Sequence, residues 1–287
     1  MRKAGIKVPI YLIRIPMLSE IEDVVKYADG SLNSELIVIE ELSKKASLLN
    51  KIHKVILMVD VGDLREGILP KDVVDIAGKV IKLPNIEFEG LGTNVGCYGG
   101  VLPSYENTKI LVELAKEIKN RYGVNIKTLS GGSTVTLGLL EKGEIAPGIN
   151  QLRIGEAILL AYDIKNLKPI PGTEQNTITL KTQVIELKVK PSYPIGEIGR
   201  DAFGNMVHFE DKGHRKRAIV ALGKQDCALD GITPIDSSIE ILGSSSDHMI
   251  LDVTNCKKEI HVGSIIEFNV SYGGMLDLMT SKYVEKN

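Results

Sequence analysis

Residues 54–67 read KVILMVDVGDLREG, a short β-branched run that turns abruptly into a loop of charged residues and glycines. Further along the chain, Val73, Ala77 and Val80 recur at helical spacing. A β-branched run followed by an amphipathic segment predicts a strand, a loop and a helix in succession. This stretch therefore predicts one unit of a parallel α/β structure.

The same alternation extends from the N-terminus to about residue 160. The other β-branched runs cover residues 10–15, 31–33, 86–94, 125–130 and 151–159, and helical periodicity separates most of them. This cadence predicts parallel strands joined by right-handed crossovers. Six units are fewer than the eight of a closed barrel. The pattern thus predicts an open sheet or an incomplete (β/α)8 TIM-type barrel, and periodicity does not distinguish the two.

Past residue 170 the pattern changes to short β-rich segments separated by Gly, Pro, Asp and Asn. The segments cover residues 177–189, 217–223, 238–242, 248–254 and 264–272. Such spacing predicts an antiparallel β domain. The expected fold class is therefore α/β plus all-β. We expect a partial β/α barrel over residues 1–168 and a C-terminal β domain over residues 169–287, with the boundary in LKPIPG, residues 167–172.

The composition excludes several classes of protein. The 287 residues are 43% hydrophobic and 25% charged, and 35 Lys and Arg face 37 Asp and Glu. No block of like charge and no long apolar run is present, so we expect neither a nucleic-acid partner nor a membrane partner. The cysteines are Cys97, Cys227 and Cys256, and they lack metal-type spacing. We therefore expect a reduced cytoplasmic protein without a metal site.

Polar residues follow the predicted parallel strands, where ligands of such folds bind. Asp60 and Arg65 follow the run quoted first, and Asn94 follows the next. The sequence SGGST at residues 130–134 suits an anion held by backbone N–H groups and hydroxyls. Arg153 lies within an apolar strand, and a buried guanidinium requires a partner. Asp60 is equally compatible with a capped turn, and Asn94 with a left-handed turn residue.

The histidines are less informative. His53, His208, His214 and His261 lie in polar stretches that we expect to be exposed. His248, in SSSDHMILDVT, is the histidine that lies near a candidate site, although packing in the core or on the surface is the simpler interpretation of it.

Six motifs carry a resemblance to a known family: VDVGDLREG, GLGTN, SGGST, LRIGEA, ALGKQD and ILGSSSDHMILDVT. Their order and spacing resemble those of the alanine racemase family of pyridoxal-phosphate enzymes (fold type III), and most closely its ornithine racemase branch. The resemblance covers nearly the whole chain. It implies a barrel that binds pyridoxal 5'-phosphate. It also implies a head-to-tail homodimer in which the partner subunit's β domain completes each active site.

The resemblance implies cofactor-binding roles for seven residues. Arg65 resembles the arginine near the phenolic oxygen of the cofactor, and Asn94 stands where alanine racemase has a histidine. Arg153 matches the arginine that faces the pyridine nitrogen. A permanently charged group there keeps the nitrogen unprotonated, which favours proton abstraction and return over transamination. The phosphate contacts match Ser133, Thr134, the backbone of Gly155, and Tyr272.

The resemblance also implies catalytic and substrate-binding residues. Lys224 stands where alanine racemase has the tyrosine that is its second base, so Lys224 and Arg153 are the expected catalytic residues. A lysine acts as a base only if burial or a nearby cation lowers its pKa toward neutrality. Ser246 and Asp247 fall where the family contacts the substrate carboxylate. Met58 replaces a lysine that braces the arginine.

The largest departure from the family is at the N-terminus. The first predicted strand aligns with the third strand of the family, so the resemblance implies that the family's first two β/α units, and the cofactor lysine with them, are missing from this sequence. Lys127 and Lys224 are poorly placed to replace it.

Two classes of function follow from these patterns. The first is a racemase that interconverts the L and D forms of ornithine or a similar basic amino acid by two-base proton transfer. In it, Asp226, Asp230 or Asp247 would pair with the side-chain ammonium of the substrate. The second is a catalytically inactive pyridoxal-phosphate-binding or regulatory remnant. A barrel hydrolase has no metal-ligand cluster or nucleophile elbow in its favour.

Overall fold

A computed structural model describes residues 1–163, 168–201 and 203–287 of the chain. It divides into two units. Unit 1 comprises Met1–Ala157 and Asp163–Lys168, and unit 2 comprises Ile158–Tyr162 and Pro169–Asn287. Residue 167, at the start of the predicted boundary, lies outside the described residues. The division into domains 1–168 and 169–287 stays a prediction.

Unit 1 is built from alternating strands and helices. In chain order they are β1 (Tyr11–Leu12), α1 (Ile21–Tyr27), β2 (Gly30–Asn33), α2 (Leu36–Leu48), β3 (His53–Met58), α3 (Pro70–Val80), β4 (Ile86–Gly92), α4 (Tyr105–Tyr122), β5 (Thr128–Ser133), α5 (Leu137–Glu141) and β6 (Gln151–Arg153). Helix α6 (Glu156–Leu160) follows and begins in unit 1, while its residues from Ile158 onward are assigned to unit 2. Short 3-10 helices cover Arg2–Ala4, Leu18–Glu20 and Thr134–Thr136. Across the described ranges, no helix is both long and apolar enough to cross a membrane.

The six strands of unit 1 form one parallel sheet in the order β1-β2-β3-β4-β5-β6. A doubly wound open sheet reverses its strand order at a switch point, whereas a barrel adds each strand beside the previous one. The unreversed order of parallel strands therefore makes this sheet an incomplete (β/α)8 barrel. The predicted strand over residues 151–159 was too long, because its apolar second half forms α6. Periodicity does not separate a short buried helix from a strand.

Strand β3 explains why the sheet is buried on both faces. Val55 and Leu57 are fully buried in the large cluster formed with the surrounding helices. Ile56 and Met58 pack on the opposite face with Leu32 of β2. Side chains alternate across a strand, so both sets of apolar residues need cover. The carboxyl ends of the strands are thereby held in place from both sides.

The expectation that His53 is exposed was wrong. His53 opens β3 with 1% of its surface exposed, and its Nε2 atom lies 2.8 Å from the Oγ atom of Ser31. Burial lowers the pKa of His53 to about 4, so the ring is neutral at pH 7. It lies at the amino end of the strands, which in barrels contributes to stability.

The rest of the chain is mainly antiparallel. Its elements are β7 (Tyr162–Asp163), β8 (Lys168–Pro169), β9 (Thr179–Pro191), β10 (His214–Val220), β11 (Ile232–Pro234), β12 (Glu240–Ser244), β13 (Met249–Asp252), β14 (Ile265–Val270) and α7 (Tyr272–Thr280), with a 3-10 helix at Leu229–Gly231. Six strands of unit 2 form a sheet in the order β11-β14-β9-β10-β13-β12, with every pairing antiparallel. Phe268, Met249 and Leu251 lie in its core.

Candidate functional site

Arg153 ends β6 at the carboxyl edge of the parallel sheet, where it pairs in register with Ser133 of β5. Its Nη1 atom donates to the Oγ atom of Ser130. Its Nη2 atom donates to the carbonyl of Thr93 at 2.7 Å and to Oδ1 of Asn94 at 2.5 Å. Burial lowers the pKa of Arg153 to about 10, which leaves the guanidinium charged at neutral pH. A fixed cation is therefore held at the ends of the strands.

The loop after β3 is shaped before it reaches Arg65. Oδ1 of Asp60 accepts from the N–H groups of Gly62 at 2.8 Å and Leu64 at 3.1 Å, so Asp60 caps the turn. Gly67 has a φ of +133°, and a Cβ atom there would lie 2.4 Å from the nitrogen of Asp60. Only glycine suits that position. The loop thus has a defined path between Asp60 and Gly67.

Within this loop, Glu66 joins residues that the sequence analysis had singled out separately. Nε and Nη2 of Arg65 both donate to its carboxylate, the second at 2.6 Å, and Nδ2 of Asn94 donates to its Oε1. The carboxylate of Glu66 raises the pKa of Arg65. The sequence analysis did not single out Glu66. The one feature that could have indicated its role is that it lies next to Arg65 in the loop after a strand. Asn94 is not among the described residues with positive φ, so it is not a left-handed turn residue.

The loop after β5 carries the predicted anion-binding residues. Gly132 has a φ of +127°, which turns the chain between β5 and the 3-10 helix at Thr134–Thr136. The Oγ1 atom of Thr134 accepts from the N–H of Ala157 at 3.2 Å, which connects this loop to α6. A Cβ atom at Gly155 would meet nothing within 4 Å, so space is open beside that backbone. Hydroxyls of Ser133 and Thr134 beside an uncovered backbone suit an anion such as a phosphate.

In unit 2, two loops bring Lys224 beside Ser246. The N–H of Lys224 donates to the carbonyl of Ser245 at 2.9 Å, and the next N–H donates to the carbonyl of Ser246 at 2.9 Å. The Nζ atom of Lys224 lies 4.0 Å from Oδ2 of Asp201 and 3.8 Å from the centroid of the Phe203 ring. Both contacts attract a cationic ammonium group.

The remaining predicted residues of unit 2 lie at its surface. Oδ1 of Asp247 lies 2.7 Å from Nδ1 of His248, and this hydrogen bond lowers the pKa of the Asp247 carboxyl. Tyr272 is the first residue of α7, where Ser271 caps the helix by accepting from the N–H of Gly274 at 3.3 Å. Tyr272 is 42% exposed.

A cavity of about 760 Å³ in unit 2 includes Lys224, Asp226, Asp230 and Asp277 in its lining. Asp226 is 5% exposed, and both of its oxygens are engaged within the unit. Oδ1 accepts from the hydroxyl of Ser281 at 2.8 Å, and Oδ2 accepts from the N–H of Gly223 at 3.3 Å. Asp226 therefore stabilises the loop that carries Lys224.

Within residues 1–163, no lysine lies at the carboxyl end of any strand from β1 to β6. Lys127 precedes the amino end of β5, where its Nζ atom lies 2.5 Å from Oε1 of Glu87. Met58 is fully buried and apolar. The described residues include no group of three or more His, Cys, Asp or Glu side chains arranged to hold a metal ion.

Comparisons with known proteins identify the family to which the chain is related. The family profile described as "Alanine racemase, N-terminal domain" matches residues 1–163. The chain is 49% identical to the ornithine racemase of Acetoanaerobium sticklandii over 276 residues, which is 96% of this chain and 78% of that protein. It is 44% identical to the lysine racemase of Thermotoga maritima over 286 residues, 100% of this chain and 80% of that protein.

Among solved structures, the fold of the chain is similar to that of an alanine racemase. The alanine racemase of Clostridium difficile 630 superimposes with a TM-score of 0.69 at 18% identity, covering 98% of this chain and 74% of that one. The chain belongs to the alanine racemase family. It is a racemase, an isomerase built from an incomplete (β/α)8 barrel and an antiparallel β unit.

Proposed function

We propose that this chain is a pyridoxal-phosphate-dependent amino-acid racemase that interconverts the L and D forms of ornithine or a similar basic amino acid. The observation that carries the proposal is the charged, half-buried guanidinium of Arg153 beside the hydroxyl-bearing loop of Ser133 and Thr134. The 49% and 44% identities to an ornithine racemase and a lysine racemase support it.

The donor groups at the strand ends fit pyridoxal 5'-phosphate. The hydroxyls of Ser133 and Thr134 and the backbone beside Gly155 would hold the phosphate, with Tyr272 reaching it as the resemblance implies. Arg153 would face the ring nitrogen and Arg65 the phenolic oxygen, with Asn94 against the ring. When bound, this cofactor withdraws electrons from the α-carbon of an attached amino acid and so acidifies its α-proton.

The residues of the chain then decide where the proton goes. Arg153 stays charged at neutral pH, so it would disfavour a proton on the ring nitrogen of the bound cofactor and would thereby favour return of the proton to the α-carbon. Lys224 would move the proton at its Nζ atom as one of two bases on opposite faces. The backbone around Ser246 and Asp247 would hold the substrate carboxylate.

A basic side chain on the substrate would meet carboxylates in unit 2. Asp226 is an unsuitable partner because both of its oxygens are engaged within the unit. Asp230 and Asp247 are left as the partners for a substrate ammonium, and the side chain of Asp247 is 57% exposed.

Assembly and compartment are part of the same proposal. A head-to-tail homodimer, in which the β domain of one subunit completes the barrel site of the other, is what membership of the family implies. Cys97, Cys227 and Cys256 are all free thiols, which is typical of proteins from the reducing cytoplasm.

A second candidate is a pyridoxal-phosphate-binding or regulatory protein without racemase activity. It is favoured by one observation, that no lysine within residues 1–163 lies at the carboxyl ends of β1 to β6. Such a protein would bind the cofactor through the anion-binding loop and the guanidinium of Arg153, and would leave amino acids unchanged.

The two candidates differ in one measurement. The purified chain is incubated with pyridoxal 5'-phosphate and L-ornithine, L-lysine or L-alanine, and the enantiomers are separated by chiral chromatography. The proposed racemase produces D-ornithine or D-lysine faster than D-alanine. Saturable cofactor binding without any D-amino acid would establish the second candidate instead. Borohydride reduction followed by peptide mapping then identifies any lysine that holds the cofactor.

A further inference from the structure

Glu66 occupies a position that neither the motifs nor the proposed mechanism uses. Its side chain is 17% exposed and lies between two predicted cofactor-binding residues. It accepts two hydrogen bonds from Arg65, one of them from Nη2 at 2.6 Å, and a third from Nδ2 of Asn94. Three donors thus converge on one carboxylate.

The amide of Asn94 is oriented by this arrangement. Its Nδ2 group can only donate and its Oδ1 atom can only accept. Nδ2 faces the carboxylate of Glu66, and Oδ1 accepts from Nη2 of Arg153 at 2.5 Å. An anion at Glu66 therefore favours the amide orientation that also satisfies Arg153. A neutral amide at position 66 would offer one acceptor oxygen where three donors converge.

The neighbouring loop keeps these groups in place. Oδ1 of Asp63 accepts from the N–H groups of Cys97 at 3.3 Å and Val101 at 3.1 Å, which joins the loop after β3 to the loop after β4. Nη1 of Arg65 donates to the Sγ atom of Cys97 at 2.7 Å. The guanidinium of Arg65 is therefore held by Glu66 on one side and contacts an exposed thiol on the other.

We propose that Glu66 is a positioning residue of the racemase site: its carboxylate sets the guanidinium of Arg65 and, through the amide of Asn94, the guanidinium of Arg153. The inference rests on the proposed function in assigning these guanidiniums to pyridoxal phosphate. A carboxylate that only formed a surface ion pair would contribute to folding and leave ligand binding unchanged. Glu66 differs from such a pair because it binds Arg65 directly and is linked to Arg153 through the amide of Asn94.

Cys97 reports the position of Arg65 without any cofactor. Nη1 of Arg65 donates to the Sγ atom of this exposed thiol, so a displaced guanidinium changes the rate at which Cys97 is alkylated. The rate of Cys97 alkylation by iodoacetamide is measured by peptide mass spectrometry in the cofactor-free chain and its variants. We expect Glu66→Gln to change the alkylation rate by at least about threefold, because Arg65 loses the carboxylate that holds it against the thiol. Glu141→Gln removes the same charge from an exposed helix position and leaves the rate unchanged. An unchanged rate in Glu66→Gln would overturn the inference.

Cofactor affinity tests whether Glu66 positions the two guanidiniums, of Arg65 and Arg153, for binding of pyridoxal 5'-phosphate. The dissociation constant for pyridoxal 5'-phosphate is determined by absorbance titration for the unaltered chain, Glu66→Gln and Glu141→Gln. We expect binding to weaken about tenfold in Glu66→Gln alone, because charge-assisted hydrogen bonds that orient two cations are lost. Equal affinity of the unaltered chain and Glu66→Gln would overturn the inference and leave the proposed function standing. Absence of binding by the unaltered chain would overturn the proposed function, and the alkylation rates would still decide whether Glu66 positions Arg65.

Discussion

The predicted site residues of the two units are held in different ways. In unit 1, Arg65, Glu66, Asn94 and Arg153 are bonded to one another in a continuous series. In unit 2, the side chain of Lys224 contacts an aromatic ring and a carboxylate, while Asp247 contacts its neighbour in sequence. The four residues of unit 1 therefore form one hydrogen-bonded cluster, which we call the interlocked cluster of the barrel side. On the β side, in unit 2, Lys224 and Asp247 are each supported by different neighbours.

Topology explains the difference. Parallel strands deliver the residues that follow them to one edge of the sheet, so side chains distant in sequence meet there. Antiparallel strands end in hairpins and turns, where a residue is supported mainly by its own loop. The comparison teaches that the linked residues of unit 1 are suited to rigid positioning of a ligand, whereas Lys224 of unit 2 is supported by two neighbouring side chains.

The largest effect is expected from Arg153→Met, which removes the last member of the interlocked cluster. The hydroxyl of Ser130 and the amide oxygen of Asn94 lose their donor in a buried site. We expect the free energy of unfolding in urea to fall by about 3 kcal/mol. Racemisation should fall at least about a hundredfold, since a preorganised cation is lost.

Arg121→Met is the matched control, because Arg121 forms an exposed ion pair with Asp75. Such pairs contribute at most about 1 kcal/mol. If Arg153→Met and Arg121→Met have the same free energy of unfolding, the hydrogen bonds of Arg153 contribute no more to stability than a surface ion pair does.

Lys224→Met probes the β side of the comparison. Its side chain is 30% exposed, and among the described residues it makes no hydrogen bond whose buried partner an apolar replacement would leave unpaired. We expect the rate of ornithine racemisation to fall about a hundredfold, because the proposed general base is lost. The free energy of unfolding should change by less than about 0.5 kcal/mol. Lys181→Met, which alters an exposed pair with Glu267, serves as the control. Racemisation at the unaltered rate would remove Lys224 from the mechanism.

Acid should weaken the barrel before it weakens the β unit. The pKa of His53 falls from 6.5 to about 4 on folding because the ring is buried. The neutral ring stabilises the folded state fully above pH 6.5, and this contribution, up to about 3 kcal/mol, is lost as the pH falls toward 4. In unit 2, burial alone would raise the pKa of Asp252, but hydrogen bonds from Thr254 and Arg215 outweigh it and lower the pKa below 3.8.

The two units therefore respond in different pH windows, since a carboxylate with a lowered pKa loses its contribution only below its ordinary value. The measurement is the free energy of unfolding in urea from pH 7 to pH 4. His53→Gln should flatten the dependence, whereas His261→Gln, at an exposed position, should leave it unchanged. Equal slopes in the two variants would contradict the assignment to His53.

The smallest effect on stability is expected from Gly155→Ala. An added Cβ atom meets nothing within 4 Å, so the free energy of unfolding should change by less than about 0.5 kcal/mol. Affinity for pyridoxal 5'-phosphate should still fall, because the methyl group enters the space beside the backbone. Gly131→Ala offers a contrast, since its Cβ atom would lie 2.7 Å from Ile149 and should cost about 1 to 3 kcal/mol. Unchanged cofactor affinity in Gly155→Ala would separate this glycine from the phosphate site.

Local patterns predicted much of the fold. The run at residues 54–60 covers all of β3 except its first residue, and the helical spacing of Val73, Ala77 and Val80 falls within α3. The failures occurred where tertiary contacts outweigh local pattern. The apolar end of the last predicted barrel strand forms α6, and a histidine in a polar stretch is covered by the strands beside it. Neither outcome depends on the spacing of apolar residues along the chain.

For this protein, the sequence by itself determined the class of fold, the polar residues at strand ends and the family motifs, because these depend on periodicity and on residue chemistry in a fixed order. Only the tertiary structure decided which of those residues touch. It showed that Glu66 joins Arg65 to Asn94 and that Asp226 is engaged within its own unit. The physical reason is that hydrogen bonds depend on distances of a few tenths of an ångström between residues far apart in the chain, and only the folded packing defines those distances.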